Sequence, residues 1–70
     1  MINIGDKVKA VRLPADSCYH QVIGEVEYIR NGYVGIKANT VMSKWSDDGT
    51  FKSRDNPLYV ATKIDYVVKL

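Results

Sequence analysis

Cys18 and His20, the single thiol and the single imidazole of this chain, stand two residues apart, with Asp16 two residues further back. On a strand, positions i and i+2 point to the same side, and a thiol beside an imidazole can become an activated nucleophile. The local pattern argues against that use. Residues 14–21 (Pro-Ala-Asp-Ser-Cys-Tyr-His-Gln) show no periodicity and read as a loop, where such alternation does not hold. Zinc needs about four ligands, and one Cys with one His does not supply them. No catalytic, cofactor or metal role is therefore assigned, and the expectation is a protein without enzymatic activity.

The carboxylates read the same way. Asp47-Asp48 precedes Gly49, and Asp-Gly is turn chemistry, with no ladder of calcium ligands following it. Glu25 and Glu27 alternate along one face of a strand-like run and face water, not each other across a cleft.

Aromatic side chains carry more functional information. Tyr19, Tyr28, Tyr33, Trp45, Phe51, Tyr59 and Tyr66 make up 10% of the chain. Tyr19 in the first long loop, Tyr33 beside a turn and Trp45 ahead of the Asp-Gly turn are the hardest to bury. Exposed Tyr and Trp anchor protein interfaces. Interleaved with basic residues they also stack on bases, and Arg12, Arg30, Lys44, Lys52 and Arg54 are available for that. Tyr19, His20, Tyr33, Trp45 and Arg54 are the expected partner-contact residues, carried by loop 14–21 and segment 45–57.

The elements that must position these groups are strands. Lys7 to Leu13 alternates and is stopped by Pro14, which has no N–H to donate. Val22 to Ile29 is a second strand, expected to turn Val26 and Tyr28 inward, with Gly24 marking a bulge or bend. Asn31-Gly32 then supplies a hairpin turn into Tyr33 to Ala38. Thr40 to Trp45 alternates weakly, and residues 46–50 form a turn returning through Phe51 to Ser53. Residues 54–57 read as a polar loop. Leu58 to Ala61 and Ile64 to Leu70 are two further strands around a tight turn at Thr62-Lys63, the last pairing near the first. No helix-period segment of useful length occurs. A sheet with one apolar face and no helix to cover it closes on itself or meets a second sheet.

Seventy residues make one domain, 1–70, with a thin core: a chain this short buries roughly 60% of its unfolded surface. With one cysteine there is no intrachain disulfide to reinforce it, and a lone thiol suits a reducing compartment, so the cytoplasm is expected. No apolar run is long enough for a membrane helix. A net charge of +2 tolerates nucleic-acid binding without demanding it.

The order of parts resembles the SH3-like barrels. Gly5-Asp6-Lys7-Val8 resembles their first strand, the long loop after Leu13 their first excursion, and Val22 to Ala38 their central hairpin. Within that fold the chain is most similar to the electron-transport accessory group, which includes a small accessory protein of photosystem I and the variable chain of ferredoxin–thioredoxin reductase. The likeness rests on Gly5-Asp6-Lys7-Val8, the aromatic loop at Tyr19-His20, Gly24-Glu25-Val26 and the short turn Thr62-Lys63-Ile64-Asp65. It implies a non-catalytic accessory subunit docked on a larger redox complex. Residues 40–56 depart from that group's pattern. Gly5-Asp6-Lys7-Val8 and Gly32-Tyr33-Val34 are also similar to type II dihydrofolate reductase, a pore-forming tetramer. The nearest match to its pore strand, Pro57-Leu58-Tyr59-Val60, lacks the family's glutamine.

The expected fold is all-β, a small five- to six-stranded antiparallel SH3-like barrel. The expected role is binding a protein partner, with no membrane insertion and with self-association open. A nucleic-acid-binding barrel of the KOW kind is the first alternative. A homo-oligomeric pore enzyme with Tyr59 and Lys63 at a shared site is the second.

Overall fold

The computed structural model describes residues 1–44 and 49–70. Its elements in chain order are β1 (Lys7–Ala10), β2 (Tyr19–Arg30), β3 (Tyr33–Ser43), β4 (Lys52–Lys63), a 3₁₀ turn (Ile64–Tyr66) and β5 (Val67–Lys69). The protein is all-β: the five strands form one antiparallel sheet in the order β4-β3-β2-β1-β5. No helix among the described residues is long and apolar enough to cross a membrane.

The hairpin joining β2 to β3 has the expected cause. Asn31 and Gly32 take φ values of 52° and 79°, the double positive φ that a two-residue primed turn requires. Elsewhere the boundaries move. β1 ends at Ala10, three residues before Leu13, and β2 begins at Tyr19, so Tyr19, His20 and Gln21 belong to a strand and the loop is 11–18. The two segments expected on either side of residue 39 are one strand, β3. Ile64 to Tyr66 forms a 3₁₀ turn, which leaves β5 only three residues long.

Bulges explain the largest departure from the expected pattern. Val26 pairs with Ile36 but Tyr28 pairs with Gly35, so Glu27 is an extra residue on β2. One inserted residue reverses which face the following side chains take. Tyr28, expected inward, is therefore turned out and is 43% exposed. Asn39 is a second extra residue, between Ile23↔Thr40 and Gly24↔Ala38, and at the same level β4 shifts its pairing from Leu58 to Ser53. Residues 54–57, expected as a polar loop, are that excursion within β4. The sheet bends along this line.

Val8, Ala10, Val22, Val26, Val34, Ile36, Ala38, Val41 and Val67 form one core, with Leu58, Val60 and Ile64 packed on it. β4 and β5 are four strand spacings apart, roughly 19 Å if the sheet were flat. Their side chains share a core because the sheet is coiled. Yet the ladder does not close, since no pairing joins β4 to β5. The all-β antiparallel architecture is as expected, and the closure is what changes: the fold is an open, coiled sheet. Three-residue β5 and four-residue β1 offer too little backbone to complete the ring.

The chain joins the two ends through the 3₁₀ turn, and a side chain adds a second link. Thr62, 3% exposed, donates its Oγ1 hydroxyl to the Arg12 carbonyl at 2.8 Å. In register terms these residues occupy diagonal corners of the sheet. Thr62 aligns with Val34 and Ile29 beyond the start of β1, whereas Arg12 lies past its end. Coiling brings them together, and the 3₁₀ turn that leads straight from β4 into β5 holds them there, with Val11 N–H on the Tyr66 carbonyl at 2.8 Å. Thr62→Val, which keeps shape and deletes the donor, is expected to cost about 1–2 kcal/mol, because the Arg12 carbonyl loses its partner. Urea denaturation measures this, and an unchanged midpoint would show that the bond contributes nothing.

Candidate functional site

The hydrogen bond from Thr62 to Arg12 also forms part of the wall of a cleft. Loop 11–18 leaves β1 there and is tied down along its length. Val11 N–H donates to the Tyr66 carbonyl at 2.8 Å, and Ser17 N–H to the Pro14 carbonyl at 2.9 Å. Ser17 Oγ accepts from Tyr19 N–H at 3.2 Å. Lys44 holds the loop from the far side, its N–H on the Cys18 carbonyl at 3.0 Å and its Nζ on the Ala15 carbonyl at 3.1 Å. A loop held by its own backbone loses little freedom when it docks something, which favours affinity.

Between this loop, the hairpin and the 3₁₀ turn lies a cleft of about 280 Å³, lined by Arg12, Leu13, Pro14, Ala15, Tyr33, Thr62, Lys63 and Tyr66. The 3₁₀ turn matters here. It packs Tyr66 beneath the Arg12 guanidinium, whose Cζ lies 5.4 Å from the ring centroid. On the other side of Tyr33 lies a shallower hollow of about 600 Å³, walled by Tyr28, Arg30, Asn31, Tyr33 and Ala61. Tyr33 is thus a ridge shared by two hollows, 46% exposed. Tyr28 is laid against the strand by the absence of a side chain at Gly35: an added Cβ there would fall 2.0 Å from its ring.

The residues expected to meet a partner separate into two groups. Tyr19 and Arg54 are brought together, although 35 positions apart in sequence. Arg54 Nη1 donates to the Tyr19 hydroxyl, its Cζ lies 5.7 Å from the ring centroid, and its Nε donates to the Asn56 carbonyl at 3.0 Å. This contact pins the 54–57 excursion to the start of β2. Tyr19 is therefore half-buried and engaged internally. His20 is the unmatched residue of a bulge between Tyr19↔Ser43 and Gln21↔Met42, and is exposed. Tyr33 sits at the other end of the β2–β3 hairpin, and Trp45 lies outside the described residues. The contact of Tyr19 with Arg54 thus brings the end of loop 14–21 against segment 45–57, while Tyr33 stands among a different set of neighbours.

Sequence reasoning misses Arg12, Lys63, Tyr28 and Tyr66 as companions of Tyr33. The pattern around Tyr66 reads as a strand, and only the 3₁₀ turn places it in the cleft. Tyr28 needs the bulge at Glu27. Neither feature has a clear sequence signal.

A cleft of about 300 Å³ beside Gly24 is lined by Lys7, Glu25, Lys37, Asn39 and Pro57, and its charges sit in register as Lys7↔Glu25↔Lys37. Cys18 is exposed, and no group of three or more Cys, His, Asp or Glu side chains is placed to hold a metal among the described residues.

No family model matches this chain, and comparison with curated proteins and with solved structures likewise yields no match. The cleft geometry therefore carries the functional argument.

Proposed function

We propose that this protein is a non-catalytic binding module that docks a segment of a protein partner in the cleft between loop 11–18, the hairpin and the 3₁₀ turn. The observation that supports it is preorganisation: the cleft's walls are joined by Thr62 Oγ1 on the Arg12 carbonyl and by Val11 N–H on the Tyr66 carbonyl. Apolar Leu13, Pro14 and Ala15 line one wall, and Tyr33 stands at its edge. Such a mix of apolar floor and tyrosine rim is the composition of an interface hot spot. An accessory role in a larger complex, implied by the resemblance, and a cytoplasmic setting belong to the same proposal.

Nucleic-acid binding has one observation in its favour, the three arginine–tyrosine pairs Arg12/Tyr66, Arg30/Tyr28 and Arg54/Tyr19. The same pairs count against base stacking, because each ring already carries a guanidinium where a base would lie.

Photo-crosslinking tests the choice. A benzoylphenylalanine placed at Tyr33 is expected to trap a discrete protein adduct in cells, whereas one at exposed Asp55 is not. A nuclease-sensitive adduct would favour the nucleic-acid reading. Equal adducts at both positions, or none at Tyr33, would remove the assignment.

A further inference from the structure

Resting on that reading, we propose that the paired hollows on either side of Tyr33 select an extended peptide segment carrying carboxylate side chains. Charge composition is the ground. Among the described residues the two hollows are lined by three cations, Arg12, Lys63 and Arg30, and by three tyrosines, Tyr66, Tyr33 and Tyr28, and by no carboxylate. Asp16 and Asp65 are near in sequence, yet neither forms part of the lining. The chain as a whole is nearly balanced, with ten basic and eight acidic side chains, so a lining of one sign is a local property.

The cations are also unspent. Among the described residues the salt bridge is Lys69 to Asp6 at 3.6 Å, neither of which lines these hollows, and neither Arg12 nor Lys63 has a carboxylate partner. Arg12 is oriented by Tyr66, whose ring holds the guanidinium while leaving its N–H donors free. Guanidinium binds a carboxylate bidentately, and partial exclusion of water by Leu13, Pro14 and the tyrosines strengthens that contact. Two hollows separated by one aromatic ridge suit an extended chain that crosses Tyr33. One carboxylate would meet Arg12 and Lys63, another Arg30, and a small apolar side chain would rest against Tyr33 between them.

Selection from a displayed library of random linear 12-mers, followed by binding of the recovered peptides, tests this. Expected peptides are enriched in Asp and Glu flanking an apolar residue. Their affinity falls at least tenfold in Arg12→Glu/Lys63→Glu, falls less in Arg12→Gln/Lys63→Gln, and weakens with added salt. Both positions are exposed, and a thermal melt verifies that the variants fold. Peptides lost on Tyr33→Ala but without acidic enrichment would overturn the charge preference and leave the docking reading standing. Peptides indifferent to Tyr33→Ala and to both charge variants would bind elsewhere and overturn both. Failure to recover any linear peptide would overturn the extended-segment proposal, while a protein adduct at position 33 would keep the docking of a folded partner. Tighter binding of an oligouridine 20-mer than of any recovered peptide, abolished by the same charge reversal, would assign the face to nucleic acid instead.

Discussion

Gly24→Ala is expected to destabilise the protein by about 3 kcal/mol or more, enough to populate the unfolded state without denaturant. The cause is backbone against backbone. A Cβ at Gly24 would lie 2.1 Å from the Lys37 carbonyl oxygen and 2.6 Å from Ala38 Cα. Neither atom can swing aside, because both belong to β3, the strand that β2 pairs with throughout its length. Relief requires β2 and β3 to part where the sheet bends at Asn39, and β4 is carried on β3. Gly35→Ala is the internal control. There the obstructing atoms belong to the Tyr28 ring, which is exposed and can rotate outward, so about 1 kcal/mol is expected. Urea denaturation of the two variants measures the contrast. Equal losses would mean that the close approach at Gly24 is not what holds the bend.

Ile36→Ala is expected to cost about 3 kcal/mol, within the range for truncating a buried isoleucine. Ile36 is the largest of the fully buried side chains and lies on β3, paired with Val26 on one side and Val60 on the other. The other fully buried core residues are valine and alanine, and the longer side chains packed on them, such as Leu58 and Ile64, lie at the margin of the core. A cavity at the centre of the coil should loosen both edges, so the Thr62 to Arg12 bond should weaken with it. Thermal melts of Ile36→Ala, Thr62→Val and the double variant measure that coupling. Strict additivity would show that the core and the corner bond are independent. A loss below about 1 kcal/mol for Ile36→Ala alone would show that the core collapses around the deletion.

Both variants probe the same physical fact. The sheet is not sealed by a closed ladder, so its curvature is held by a thin core, one close strand crossing, one buried hydroxyl and the 3₁₀ turn that links β4 to β5. The binding cleft inherits that dependence, because its two walls meet only if the diagonal corners of the sheet meet. Thr62→Val should therefore weaken docking beyond its effect on stability, by loosening loop 11–18 at Arg12.

Much of the architecture is legible in the residues alone. Asn31-Gly32 announces its hairpin because few residue pairs accept two positive φ values. Pro14 lies in the loop after β1 for reasons of local backbone chemistry, whereas the polar run 54–57, expected as a loop, stays within β4 and only shifts its register against β3. Tyr33 is legible as an exposed aromatic from its position beside the turn. Tyr19 and Arg54 both stand out as functional candidates, yet their mutual contact makes them a clamp on the 54–57 excursion. Pairing across 35 residues depends on strand register, which local pattern does not reveal.

Local propensity and alternation, acting within a few residues, therefore determined the all-β class and the central hairpin. Single-residue insertions at Glu27 and Asn39, the 3₁₀ turn at Ile64–Tyr66 and the coiling that joins Thr62 to Arg12 were decided by the packed sheet. Each depends on which strands lie side by side and how sharply they bend to share one small core. That is why Tyr33 can be singled out from the sequence, while Arg12, Lys63, Tyr28 and Tyr66 become its neighbours only in three dimensions.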